Sequence, residues 1–186
     1  DLAARQTAAS VGEVWKNQVL VESPPGAGGT LAAGMVARAA PDGYTLLMAT
    51  IGNLAISPNL YRKLGYDPVR DFTPVSLVLS MGSILAVNND VPVKSFQQLI
   101  ALARSQPGKL SYACPGVGTP QHVGTELLKI LAGVDITHVP YKGAMFTDVI
   151  AGRVTMTLQN AAAILPTVRD GRLRGVAQTS LERSPT

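Results

Sequence analysis

The chain has 186 residues, 46% apolar and 15% charged, with a net charge of +4. That length allows one large domain or two small lobes, and the balance describes a packed globular chain, not a disordered one. Scattered basic residues and few aromatics argue against nucleic-acid binding; the charge alone reads as a solvated basic surface, although a mild positive field would also suit a small anionic ligand. No run approaches the roughly 20 apolar residues of a membrane helix, and the chain does not open on a basic-then-apolar secretory start.

The elements alternate from the first residue. Ala4, Ala8, Val11 and Trp15 share one helical face, predicting a helix over 1–16. Val19 to Val21 are β-formers, predicting a strand over 18–22, and Pro24 and Pro25 forbid further ladder pairing. Gly26, Gly28 and Gly29 form a turn. A helix over 30–39, a Pro41-Asp42-Gly43 turn and a strand over 44–49 follow. That order is one β-α-β unit, the building block of a parallel sheet covered by helices. A polar loop, Thr50 to Asn53, leads to a short helix over 57–63 and strands over 73–79 and 83–88.

After residue 91 the pattern restarts. Ser95 with Gln98 reads as a capping box opening a helix through Arg104. A strand over 109–113 runs into Cys114-Pro115-Gly116-Val117-Gly118-Thr119-Pro120. Thr119 as N-cap and Pro120 at the first helical position start a helix by two independent rules. Val123, Leu127, Ile130 and Leu131 are its expected buried face, and Gly133 ends it. A strand over 136–139, a loop at Pro140 to Gly143, a helix over 145–150 and a strand over 153–158 come next. A helix over 161–169 and a strand over 173–178 close the series. A βα protein should begin with a strand, so one is expected to precede this chain, and residues 180–186 read as a cut end.

Three features suggest chemistry. The Gly26–Gly29 turn before a helix invites a phosphate-loop reading, but Leu31 holds the third glycine position of a dinucleotide fingerprint and no Lys follows as a Walker loop needs. The Gly116–His122 loop permits close backbone approach and leads to the unpaired N–H groups of a helix start, which suits a carboxylate, although an ordinary capped helix start has the same residues. Cys114 with His122 or His138 has the residue types of a nucleophile–base pair, although a lone cysteine at a strand end is more often a small buried hydrophobe. One cysteine excludes an internal disulfide. With no CxxC, no HExxH and no histidine pair at i, i+4, neither a metal nor a cofactor is expected.

Four motifs occur in order: Val21-Glu22-Ser23-Pro24-Pro25-Gly26-Ala27-Gly28-Gly29, Ala40-Pro41-Asp42-Gly43-Tyr44-Thr45-Leu46-Leu47, Tyr66-Asp67-Pro68-Val69-Arg70-Asp71-Phe72-Thr73-Pro74-Val75 and His138-Val139-Pro140-Tyr141-Lys142-Gly143. Together they resemble the Bug/TctC family, substrate-binding proteins of tripartite tricarboxylate transporters, across practically the whole chain. The resemblance implies a type II periplasmic binding protein: two α/β lobes with mostly parallel sheets and a cleft that closes on a small carboxylate. The lobes are expected at 1–83 and 84–178, with 179–186 starting a return crossing and the first lobe incomplete.

By the same resemblance Asp1 matches an aspartate at the start of the first helix. Thr50, Gly52 and Asn53 match a first-lobe loop facing the cleft. Gly116, Gly118, Thr119, Gln121 and His122 match the second-lobe loop that receives a carboxylate, Tyr141, Lys142 and Gly143 another cleft-proximal loop, and Asn160 the asparagine of an Asp-Asn pair. Gln159 stands where the family usually has the aspartate of that pair, Thr155 replaces another common aspartate, and Pro120 and Gln121 replace small hydroxyl residues. The implied partners are a small organic acid and transporter membrane subunits, in the periplasm. An incomplete first lobe is expected to self-associate or to be marginally stable. Two other readings stand beside the binder: an α/β enzyme using Cys114 or the Gly26–Gly29 turn, and a fragment that folds without binding.

Overall fold

The computed structural model describes residues 2–24 and 26–181, the side chain of Ala27 excepted. The expectations placed on Asp1, Pro25 and residues 182–186 lie outside them. The chain divides into two units, Asp1–Thr73 and Pro74–Thr186.

The first unit holds helices α1 (Leu2–Trp15), α2 (Thr30–Ala37) and α3 (Ser57–Leu60), with a wide π-helical turn, Gly52–Ile56, running into α3. On α1 the predicted stripe is covered at Ala4, Ala8 and Val11 but not at Trp15. On α2 the small residues Ala33 and Gly34 turn inward, while Leu31 and Met35 face out. The strands expected over 18–22, 44–49 and 73–79 do not form: no stretch before Ser83 is paired into a ladder among the described residues. The reason is physical. β-Propensity measures fit to a pleated, half-buried surface, and Leu20, Leu46 and Leu77 here remain 75%, 57% and 83% exposed, with no neighbouring strand to supply that surface. The Tyr66-Asp67-Pro68 motif is ordered locally instead. Asp67 Oδ1 accepts from the amides of Val69 and Arg70, and these bonds hold its carboxyl below the usual range.

The second unit is built on a five-stranded sheet, β1 (Ser83–Val87), β2 (Ser111–Cys114), β3 (Thr137–Pro140), β4 (Met156–Asn160) and β5 (Arg174–Gln178), in the order β3-β2-β4-β1-β5. β2 runs parallel to β3 and β4, while β1 runs antiparallel to β4 and β5. Four of the strands therefore point the same way. Alternate residues feed two cores: Tyr112, Cys114, Met156 and Leu158 on one face, Ala86 and Ala113 on the other. The first face is covered by α4 (Phe96–Ser105) and α5 (Pro120–Ala132), the second by α6 (Met145–Ile150) and α7 (Ala161–Arg169).

Local signals place these helices. Ser95 Oγ accepts from the Gln98 amide at 3.3 Å, and Gln98 Oε1 accepts from the Lys94 amide at 2.6 Å, one residue before the position a capping box uses. Thr119 caps α5 with Pro120 behind it, and Gly133 ends it in the left-handed conformation. The facing of α5 differs from expectation. Val123, Leu127, Ile130 and Leu131 are 37%, 52%, 76% and 77% exposed, while Gln121 and Thr125 are buried. Helical spacing identifies a stripe but not the side on which the sheet lies. α5 meets the sheet through Gly124, where an added Cβ would stand 3.0 Å from Leu158 Cδ2, and its half-buried Leu128 and Ala132 pack on the core. Thr125 tolerates burial because its hydroxyl donates to the Gln121 carbonyl at 2.8 Å.

Candidate functional site at the carboxyl ends of three parallel strands

Because β2, β3 and β4 are parallel, the chain leaves all three at one end of the sheet. From β2 it crosses to β3 on one side and from β3 back to β4 on the other. The strand order thus reverses at β2, and the crevice outside the carboxyl ends at such a point is where open α/β sheets bind ligands. The loops after these strands carry Gly116, Gly118 and Thr119, then Tyr141 and Lys142, then Asn160. The second-lobe residues expected to bind are therefore gathered by topology.

The loop after β2 is shaped by Gly116 and Gly118, whose φ of 135° and 83° few side chains tolerate. Thr119 Oγ1 donates to the Gly116 carbonyl at 2.7 Å and accepts from the His122 amide at 3.3 Å, so the hydroxyl serves the loop itself. The backbone amides of Val117, Gly118 and Gln121 have no acceptor among the described residues. They gather at the start of a 13-residue helix.

Tyr141 is held at both ends. Its amide donates to the Cys114 carbonyl at 2.9 Å, and its phenol donates to Asp148 Oδ2 at 2.7 Å. Arg153 Nη1 lies 2.6 Å from the other Asp148 oxygen. The Tyr141 hydrogen bond, then the guanidinium, hold the Asp148 carboxyl low, and the same hydrogen bond raises the phenol. Lys142 and Asn160 are exposed, and Asn160 makes no side-chain cap to α7. In the first unit Asn53 is buried and its Oδ1 accepts from both the amide and hydroxyl of Thr50, at 2.8 and 3.3 Å. Gly52 is buried and Thr50 exposed.

Beneath the β2 loop lies a polar cluster. Cys114 Sγ is 2.9 Å from His138 Nε2, and the His138 ring stacks on Tyr112 at 4.9 Å and meets the His122 ring at 4.7 Å. Tyr112 donates to Glu126, which also pairs with Lys129. Burial pushes the Cys114 thiol up, while burial and the neighbouring His122 push His138 down. A fully buried, neutral thiol beside a neutral imidazole is the opposite of the exposed thiolate a nucleophile requires. Among the described residues no group of His, Cys, Asp and Glu could hold a metal ion, and no helix is long and apolar enough to cross a membrane.

The sequence singles out Cys114 with His122 or His138, and the structure brings all three together; Tyr112, Glu126 and Lys129 beside them, and the Tyr141–Asp148–Arg153 chain, are not foreseen. Only Glu126 and Lys129, three apart on one helix, gave a local signal.

An α/β sheet with glycine-shaped, amide-rich loops at its parallel strand ends has the architecture in which open α/β sheets receive ligands. More specifically, the chain is a member of the TctC family, the tripartite tricarboxylate transporter family receptors, whose family model matches residues 3–186. It is 36% identical over 187 residues to a UPF0065 protein from the tcbD–tcbE intergenic region of a Pseudomonas species, covering 100% of this chain and 55% of that protein. Among solved structures it resembles R. palustris Rpa4515 with adipate (38% identity, TM-score 0.94, 98% of this chain and 62% of that one). It also resembles MatC (Rpa3494) from Rhodopseudomonas palustris with bound malate (32% identity, TM-score 0.90, 100% and 64%). The chain thus spans between half and two thirds of the length of these relatives. The family is one of receptors, not of enzymes.

Proposed function

We propose that this chain is the ligand-receiving part of a periplasmic receptor that captures a small organic carboxylate and presents it to membrane subunits of a tripartite transporter. The observation that carries the reading is the set of unpaired amides at Val117, Gly118 and Gln121, at the start of α5 and at the strand-order reversal. Such amides favour an anion through direct charge-assisted hydrogen bonds or bridging water. In this reading Gly116, Gly118, Thr119, Gln121 and His122 form the carboxylate loop. Thr119 contributes by fixing the loop's shape, and Tyr141, Lys142 and Asn160 flank it. Thr50, Gly52 and Asn53 are the candidate ligand residues of the first unit.

The relatives with adipate and with malate support a carboxylate as the ligand class, the receptor family supports the transporter partners, and similarity to a solved periplasmic transporter supports the periplasm. The exposed Leu20, Tyr44 and Leu46 support self-association, which sedimentation velocity measures. The central test is a thermal-shift screen against mono-, di- and tricarboxylates. A ligand at about 100 times its Kd stabilises the native state by about 2.7 kcal/mol and raises the Tm. If no acid raises the Tm, the binding reading fails.

A further inference from the structure

We propose that Gln159 determines specificity at this site, its side-chain carbonyl selecting acids that carry a hydrogen-bond donor such as a hydroxyl. The inference rests on the receptor reading above. Gln159 is the penultimate residue of β4, at the sheet end where the three loops gather, and is 4% exposed.

A chain of hydrogen bonds sets its amide. The Ala113 carbonyl can only accept, so Thr157 Oγ1, at 2.8 Å, donates its one proton there. The Thr157 oxygen must then accept from Gln159, at 3.1 Å, and the atom facing it is Nε2. The same nitrogen lies 3.5 Å from Met145 Sδ, a weak acceptor. Turning the amide over would set a carbonyl against a hydroxyl oxygen with no proton left to give. Oε1 therefore points away from Thr157 and Met145. It has no partner among the described residues, and it is not among their sealed, unpaired side-chain atoms. The free valence of this buried side chain is a fixed acceptor at the strand ends.

An acceptor does not attract a carboxylate oxygen. It complements a donor elsewhere on the acid, and an acid without one leaves Oε1 desolvated and unpaired. One neutral hydrogen bond of this kind is worth up to roughly tenfold in affinity.

The test is calorimetric titration of the whole chain with matched pairs: succinate and malate, glutarate and 2-hydroxyglutarate, adipate and 2-hydroxyadipate. In each pair that binds, the hydroxy acid is expected to bind tighter by up to roughly tenfold. Gln159→Met keeps length and shape without the carbonyl, and is expected to bring the ratio to about one while leaving the plain diacid's Kd within about threefold. Should that variant fail to fold, Thr157→Val, which removes the anchor of the amide, is expected to shrink the ratio likewise. Plain and hydroxy acids binding equally to the unaltered chain, or a preference that survives in either folded variant, overturns the proposal and leaves the receptor reading standing. Binding by no acid overturns both.

Discussion

At the residue scale the polar cluster under the β2 loop makes a pH prediction with a definite sign. The groups facing His138 are Tyr112 and Cys114 from β2, and His122, Glu126 and Lys129 from α5. Burial first, then the His122 charge, lowers the His138 pKa in the folded state. Above the ordinary imidazole value of about 6.5 both folded and unfolded chains hold it neutral, and it contributes no pH dependence. As the pH falls through that value the unfolded chain takes up a proton that the folded one refuses, so stability is lost. Glu126 adds a second loss further down. Burial raises its carboxyl, but hydrogen bonds from Tyr112 and Lys129, with the Lys129 and His122 charges, outweigh burial and hold it low. Denaturant titrations between about pH 8 and about pH 5 should show stability falling below about pH 6.5. His138→Gln should flatten that upper part of the profile, and an unchanged slope would show that His138 is not its source.

At the element scale, helices of the second unit were legible because their signals are local. Ser95, the Thr119-Pro120 pair and Gly133 each act within one turn of their own position. The side on which a helix meets its sheet is not local, and α5 shows the consequence. Its apolar stripe looks outward, while Gly124 and Thr125 lie inward. The shape of the loop after β2 was legible for the same reason as the caps, since glycines and an N-cap write it. Networks that join distant segments, such as Tyr112 to Glu126 or Gln159 through Thr157 to Ala113, leave no periodic trace. The orientation of α5 is checked by substitution. Ile130→Glu, at 76% exposure, should change stability by no more than about 0.5 kcal/mol. Leu99→Ala, at a fully buried position of α4, should cost about 2–5 kcal/mol in the same denaturation assay. A large loss from Ile130→Glu would place that residue inside.

At the scale of the whole molecule, the two units differ in how their backbone is held. The second unit pairs its strands in ladders whose central members β1, β2 and β4 are bonded on both sides, and it buries both faces of that sheet. The first unit rests on helices and turns, with segments 18–22 and 44–49 unpaired among the described residues. The apolar side chains that made those segments read as strands are largely exposed. Local opening costs least where buried contacts are few and backbone hydrogen bonds absent. Native-state hydrogen exchange should therefore rank the chain. Amides of residues 18–22, 45–49 and 75–81 should exchange at nearly unprotected rates, helices α1 and α2 more slowly, and β1, β2 and β4 only by near-global unfolding. A saturating carboxylate should add protection first in the loop after β2, where the amides of Val117, Gly118 and Gln121 have no acceptor among the described residues. Protection of residues 44–49 as strong as that of β2 in the free protein would mean that these residues are paired in solution and that the contrast between the units is wrong.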